Sequence, residues 1–165
     1  MSEISDAIQD KCLLFGDRII KLNDYLLKEA ACRTCDVRGR TSDVSKGKTA
    51  FGHQPSDFRR QTSRVPVYLQ SISTLCNQLL RAGTSIGANN AEACNAISKA
   101  DFKSKSFIAL KEARESLYWL ELLHRNNYLT DEQYNSINAD CEELVKILVH
   151  RLKKINEITT EEQEK

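Results

Sequence analysis

Four stretches of the chain space their apolar residues by alternating steps of three and four, a period that fits α-helices and not strands. In the first, Ile8, Cys12, Phe15, Ile19, Leu22 and Leu26 form one stripe. A helix over residues 5–30 is predicted, opened by Ser5 and Asp6. The second stripe, Tyr68, Ile72, Leu75, Leu79, Ala82 and Ile86, follows Pro66, a residue suited to a first helical turn, and gives a helix over 66–95. Ser98 with Asp101 has capping-box spacing and starts a third helix over 98–125, lined by Phe102, Ala109, Ala113, Leu117 and Leu120. Asn126-Asn127 ends it, and Thr130 with Gln133 repeats the capping spacing to open a fourth helix over 130–156. Its stripe is Tyr134, Ile137, Cys141, Leu144, Leu148, Leu152 and Ile155. Narrow stripes on long helices, joined twice by short connections, predict an all-α, antiparallel up-down four-helix bundle in one domain spanning 1–165. The acidic tail, 157–165, is expected to fray.

Between the first two helices lies a segment of different character. Residues 31–65 carry eight basic and three acidic residues and show almost no apolar periodicity. Of the two prolines in the chain, Pro55 lies inside this segment and Pro66 just past its end. The segment repeats in sevens: Arg33-Thr34-Cys35-Asp36-Val37 recurs as Arg40-Thr41-Ser42-Asp43-Val44 and degenerates towards Gln61-Thr62-Ser63-Arg64-Val65. One modest apolar residue per repeat cannot form a coiled-coil seam. It reads as a low-complexity, mostly disordered loop grown by tandem duplication.

No run approaches the roughly 18 apolar residues of a membrane span, and the start, MSEISDAIQD, lacks the basic and apolar regions of a signal peptide. A cytoplasmic protein is expected, with no membrane contact. Cys12, Cys76, Cys94 and Cys141 fall among helical apolar positions and read as reduced, small core residues. Cys32-Arg-Thr-Cys35 has a metal-like spacing, but only His53 is at hand in the loop as a third ligand, and no metal site is expected. Glu121-Leu-Leu-His124 has the spacing of a di-iron bundle motif without the second pair that such a site requires. No phosphate-binding glycine loop or nucleophile elbow occurs, so neither catalysis, a small-molecule substrate nor a cofactor is expected.

The most specific run is Arg81-Ala-Gly-Thr-Ser-Ile-Gly-Ala-Asn-Asn-Ala-Glu-Ala93. Gly83 and Gly87 each cost a helix about 1 kcal/mol, which together with Ala88 predicts close approach of another helix on that face. With Ser98-Lys-Ala-Asp-Phe102 and the run from Ala109 to Leu123, this stretch resembles the bacterial four-helix-bundle family named for the 23S rRNA intervening sequence, to which the accessory variability determinant of diversity-generating retroelements is related. The resemblance extends over all four helices and implies a homopentamer of five bundles, associated with RNA or with a reverse transcriptase. Two departures stand out: the long repeat-bearing loop, and Asn90 in place of an apolar residue.

Charge tests that implication independently, because phosphate neutralisation dominates nucleic-acid affinity. The chain is only +1, and without the 31–65 segment sixteen basic residues face twenty acidic ones. The distribution is more favourable: Lys146, Arg151, Lys153 and Lys154 cluster at the end of the fourth helix, and Lys99, Lys103 and Lys105 at the start of the third. A solvated helix end gives the same pattern. Two functions stay open: an oligomeric accessory protein that binds RNA through phosphate, or an oligomeric scaffold that docks a protein near Tyr118 and Trp119.

Overall fold

The computed structural model describes residues 2–40 and 67–163, with side chains over 6–32 and 69–157. Four α-helices make up the described chain: α1 (Ser2–Arg40), α2 (Val67–Cys94), α3 (Lys99–Arg125) and α4 (Asp131–Gln163). Each packs on two neighbours, in the cyclic order α1, α2, α3, α4, so that α1 and α3 stand diagonally opposite. The anticipated all-α four-helix bundle is what forms.

The predicted stripes turn inward. Cys12, Phe15, Ile19, Ile72, Leu79, Ile86, Leu120, Leu144 and Leu148 are all buried, and Leu22, Leu75 and Leu117 pack at the margin of the same cluster. Burying a side chain of this size contributes about 1.5–3 kcal/mol, which lets a short list of them outweigh weak local helix propensities.

The turns follow from their cap residues. Ser98 Oγ accepts from the Asp101 amide at 3.1 Å, while the Asp101 carboxylate turns to the Ile97 amide at 3.3 Å rather than closing the box on Ser98. Thr130 and Gln133 do close a reciprocal box, at 3.2 and 3.0 Å. Between them, Asn127 takes a left-handed φ of 59°, and the Tyr128 and Asn127 amides return to the carbonyls of Leu123 and His124, both at 2.9 Å. This is a Schellman stop, with asparagine where glycine is commoner.

Three sequence expectations need correction. α1 continues through Arg40, ten residues past its anticipated end, because nothing before Gly39 breaks a helix; residues 41–66, with the later repeats, lie outside the described ones. α4 continues to Gln163, so the tail is helical up to that point. Cys94 is exposed, near the last turn of α2, whereas Cys12, Cys76 and Cys141 are buried. Burial pushes those three thiols up, to about 11, 11 and 12 respectively. Among the described residues, no helix is long and apolar enough to cross a membrane.

Candidate nucleic-acid interface

α3 and α4 run antiparallel, with the Cys141 thiol 3.3 Å from the Ala113 carbonyl and the Arg151 guanidinium 5.5 Å from the centre of the Phe102 ring. The start of α3 therefore lies beside the end of α4, and the two basic clusters read from the sequence share one end of the bundle. Their seven residues meet different fates there.

Lys99, Lys103, Lys153 and Lys154 are exposed. Lys105 is engaged by Glu92 of α2, which tethers α3 to α2 and raises the lysine's pKa through that hydrogen bond. Lys146, farther up α4, lies 3.9 Å from Glu142 one turn earlier, with most of its side chain in solvent. Asp101 accepts from the Ile97 amide at the helix start, and Glu92 is taken up by Lys105.

Arg151 is not a surface cation. Its Nη1 donates to Asn90 Oδ1 at 2.7 Å, and Asn90, wholly buried, donates from Nδ2 to Gln9 Oε1 at 2.5 Å. Gln9 Nε2 in turn reaches the Gly87 carbonyl at 3.4 Å. With Phe102 beside the guanidinium, all four helices contribute to one polar layer. Burial lowers the Arg151 pKa, opposed by the nearby Cys94 and Cys12 thiols. This layer also accounts for Asn90, the polar residue at an otherwise apolar position: it bridges a glutamine on one side and an arginine on the other.

The glycines of α2 face α1. A methyl group on Gly83 would meet Ile19 Cγ1 at 2.9 Å and Cγ2 at 3.1 Å, whereas on Gly87 it would come no closer than 3.4 Å, to Cys12 Cβ, an ordinary distance. Gly83 is therefore the point of close approach, and Gly87 has room for a methyl group. Ala88 is exposed and takes no part in the seam, because it is one residue past the buried arc. The α1–α4 edge is the most open of the four. Long side chains span it: Lys11 pairs with Glu143 at 2.8 Å, and Arg18 pairs with Asp140 and donates to Ser136 Oγ at 2.9 Å.

Glu121 and His124, the di-iron-like pair, are committed to the α3–α4 turn. Glu121 accepts from Tyr134 Oη and Arg125 Nε, both at 2.6 Å, and these bonds hold its carboxyl below the usual range while Tyr134 rises to about 12. His124 stacks on the Tyr134 ring at 4.3 Å and meets Asp131 at 2.7 Å.

Comparison with known proteins decides the family. Residues 60–150, just over half of the chain, match the model described as 23S rRNA-intervening sequence protein. The chain belongs to that family. A crystal structure from the S23 ribosomal protein family of Bacteroides thetaiotaomicron, described as a protein with unknown function, is 37% identical with a TM-score of 0.64. The alignment spans 90% of this chain and 97% of that one. No curated protein matches. A match that begins at residue 60 takes in α2, α3 and most of α4, the helices that carry the polar layer's Asn90 and Phe102 and the lysine-rich start of α3.

Proposed function

We propose that this 23S rRNA-intervening sequence family member is a non-catalytic, oligomeric accessory protein that binds RNA through phosphate contacts. The observation that carries the reading is the lysine cluster at one end of the bundle. Lys99 and Lys103 on α3 and Lys153 and Lys154 on α4 are exposed there. Lysines so placed suit phosphate, as point charges without base reading. Arg151 and Lys105 belong to the scaffold of that end, and Lys146 lies beyond it.

A single copy offers a small patch on a chain with net charge +1. Repetition removes that weakness, and the homopentamer that family resemblance implies would present the cluster five times. Exposed Leu13, Leu14, Ile20 and Tyr25 on α1 support self-association, since apolar surface of this kind gains from being covered. Filter binding of a structured RNA across a salt series tests the reading. Affinity should fall steeply with salt, and changing the four lysines to glutamine should flatten the slope by up to about four, near one for each phosphate no longer neutralised. Affinity that is absent, or indifferent to salt, overturns it, as does recovery of one protein partner after nuclease treatment from a chain that binds no RNA.

A further inference from the structure

Large apolar side chains left in solvent are confined, among the described residues, to α1, to α3 and to Ile97 in the turn between α2 and α3. The two helices set them in fields of opposite charge. On α1, Leu13 and Ile20 lie among exposed Asp10, Asp17 and Asp24. On α3, Phe107 and Tyr118 lie among exposed Lys103, Lys111 and Arg114, and these five fall within about 80° of arc at 3.6 residues per turn. Glu112 and Glu115 lie outside that arc. Glu121, three residues past Tyr118, re-enters it and is already bonded to Tyr134 and Arg125.

The result is a cationic, aromatic track along the outside of α3. At about 1.5 Å of rise per residue it runs for roughly 22 Å, from Lys103 in the lysine cluster at the bundle end to Tyr118. No ion pair among the described residues engages Lys103, Lys111 or Arg114. Its rings are open to solvent, Phe107 by 55% and Tyr118 by 57%. Tyr118 is also braced: its ring and that of Trp119 meet edge-on, with centres 5.0 Å apart. Trp119 packs on the core and donates from Nε1 to Glu115 Oε1 at 3.0 Å. A ring held in this way loses little freedom when a flat partner stacks on it.

We propose that this face of α3 binds RNA as a single strand, with unpaired bases stacked on Phe107 and Tyr118 and the adjoining phosphates neutralised by Lys103, Lys111 and Arg114. Any unpaired base can stack on an aromatic ring, because every base has a π-face. A duplex keeps its bases stacked on one another and shows a protein only its backbone and groove edges. Lysines alone suit either form, whereas rings interleaved with cations suit the unpaired one. The carboxylates of α1 repel the same ligand, so the aromatic side chains of α3, and not the aliphatic ones of α1, are placed for bases. The proposal rests on the RNA reading above and adds to it the form of the RNA and a second contact surface that leads out of the lysine cluster.

Fluorescence anisotropy of a labelled, unstructured RNA, alone and annealed to its complement, tests it. The wild type should hold the single strand about tenfold tighter than the duplex, or more. Phe107→Leu with Tyr118→Leu should lower single-strand affinity by about tenfold or more, the usual worth of a stacked base, and leave duplex affinity unchanged. Tyr118→Phe, which keeps a ring, should bind as the wild type does. Lys111→Gln with Arg114→Gln should flatten the single-strand salt slope by about 1.4, at roughly 0.7 per phosphate contact. Emission from Trp119, the one tryptophan in the chain, should change when the single strand binds and not when the duplex does. Equal affinity for the two forms, or single-strand binding that survives loss of both rings, overturns the proposal and leaves phosphate binding by the lysine cluster standing. Binding of neither form ends both readings. A ring-free variant that loses mass in light scattering along with its RNA assigns the face to contact between copies and overturns the proposal as well. Should that variant lose the helical circular dichroism of the wild type, the salt slope of the Lys111→Gln, Arg114→Gln variant and the Trp119 emission decide.

Discussion

Two buried asparagines on the inner faces of neighbouring helices have opposite surroundings. Asn90 of α2 donates to Gln9 and accepts from Arg151, so both ends of its amide are used. Asn23 of α1 is almost as deeply placed, and its Oδ1 has no hydrogen-bond partner. The difference shows what a polar residue does inside a bundle. A satisfied one ties helices into a single register, because sliding any of them breaks a bond to a buried group. An orphan carries the desolvation cost without that return. Between the two, Gly83 brings α2 against α1 by leaving a side chain out, because a methyl there would press on Ile19.

Raising the pH should act most strongly, and on the apolar layers rather than the polar one. Cys12, Cys76 and Cys141 keep their protons to about 11 or 12 in the folded chain, against 9.0 ordinarily. Their contribution is full below about pH 9. It is lost as the pH rises through 9 towards 11, since only the unfolded chain ionises there, at roughly 1 kcal/mol per thiol and pH unit. Urea melts at pH 8, 9 and 10 should show the midpoint falling, and a flat profile would contradict the burial of these thiols.

Next in size is Asn90→Leu, which strips the half-buried Arg151 of its acceptor and should cost about 2–3 kcal/mol in chemical denaturation. Adding Arg151→Met should recover most of that loss; if it does not, the layer is held by something other than this pair. The two glycines should then part company. Gly83→Ala pushes a methyl into branched, inflexible Ile19 and should cost about 1–2 kcal/mol net of improved helix propensity, while Gly87→Ala should gain up to about 1 kcal/mol. Equal thermal shifts would remove the distinction between close approach at one and spare room at the other. Smallest of all, Asn23→Leu should change stability by about 0.5 kcal/mol or less, or raise it, and a loss as large as that of Asn90→Leu would end the contrast.

Most of the fold is legible from period alone. Every stripe residue that spacing assigns to α3 or α4 lies in the core or at its margin, or beside the polar layer as Phe102 does. Arg151 is harder to read because its neighbours in sequence, Lys153 and Lys154, suggest a charged face. Its position three residues after Leu148 and seven after Leu144 nonetheless places it next to the buried arc. Asn90, four residues after Ile86, carries the same signal. The lysines at the bundle end are visible as a cluster, but which of them are engaged depends on Glu92 and Asn90, residues of another helix. The ends of α1 and α4 run long because hydrophilic sequence without glycine or proline extends a helix as readily as it leaves one.

The open edge between α1 and α4 bears on how the first helix is held in place. α1 is located by a tight fit to α2 on one side and by Lys11 and Arg18 reaching across to α4 on the other. Each of those contacts is made by residues of the helices themselves. Between helices located by their own contacts, lengthening a flexible connection costs only the logarithm of its length, about 0.6 kcal/mol per doubling. Heptapeptide duplications could therefore accumulate there during evolution with little consequence for how the four rods assemble.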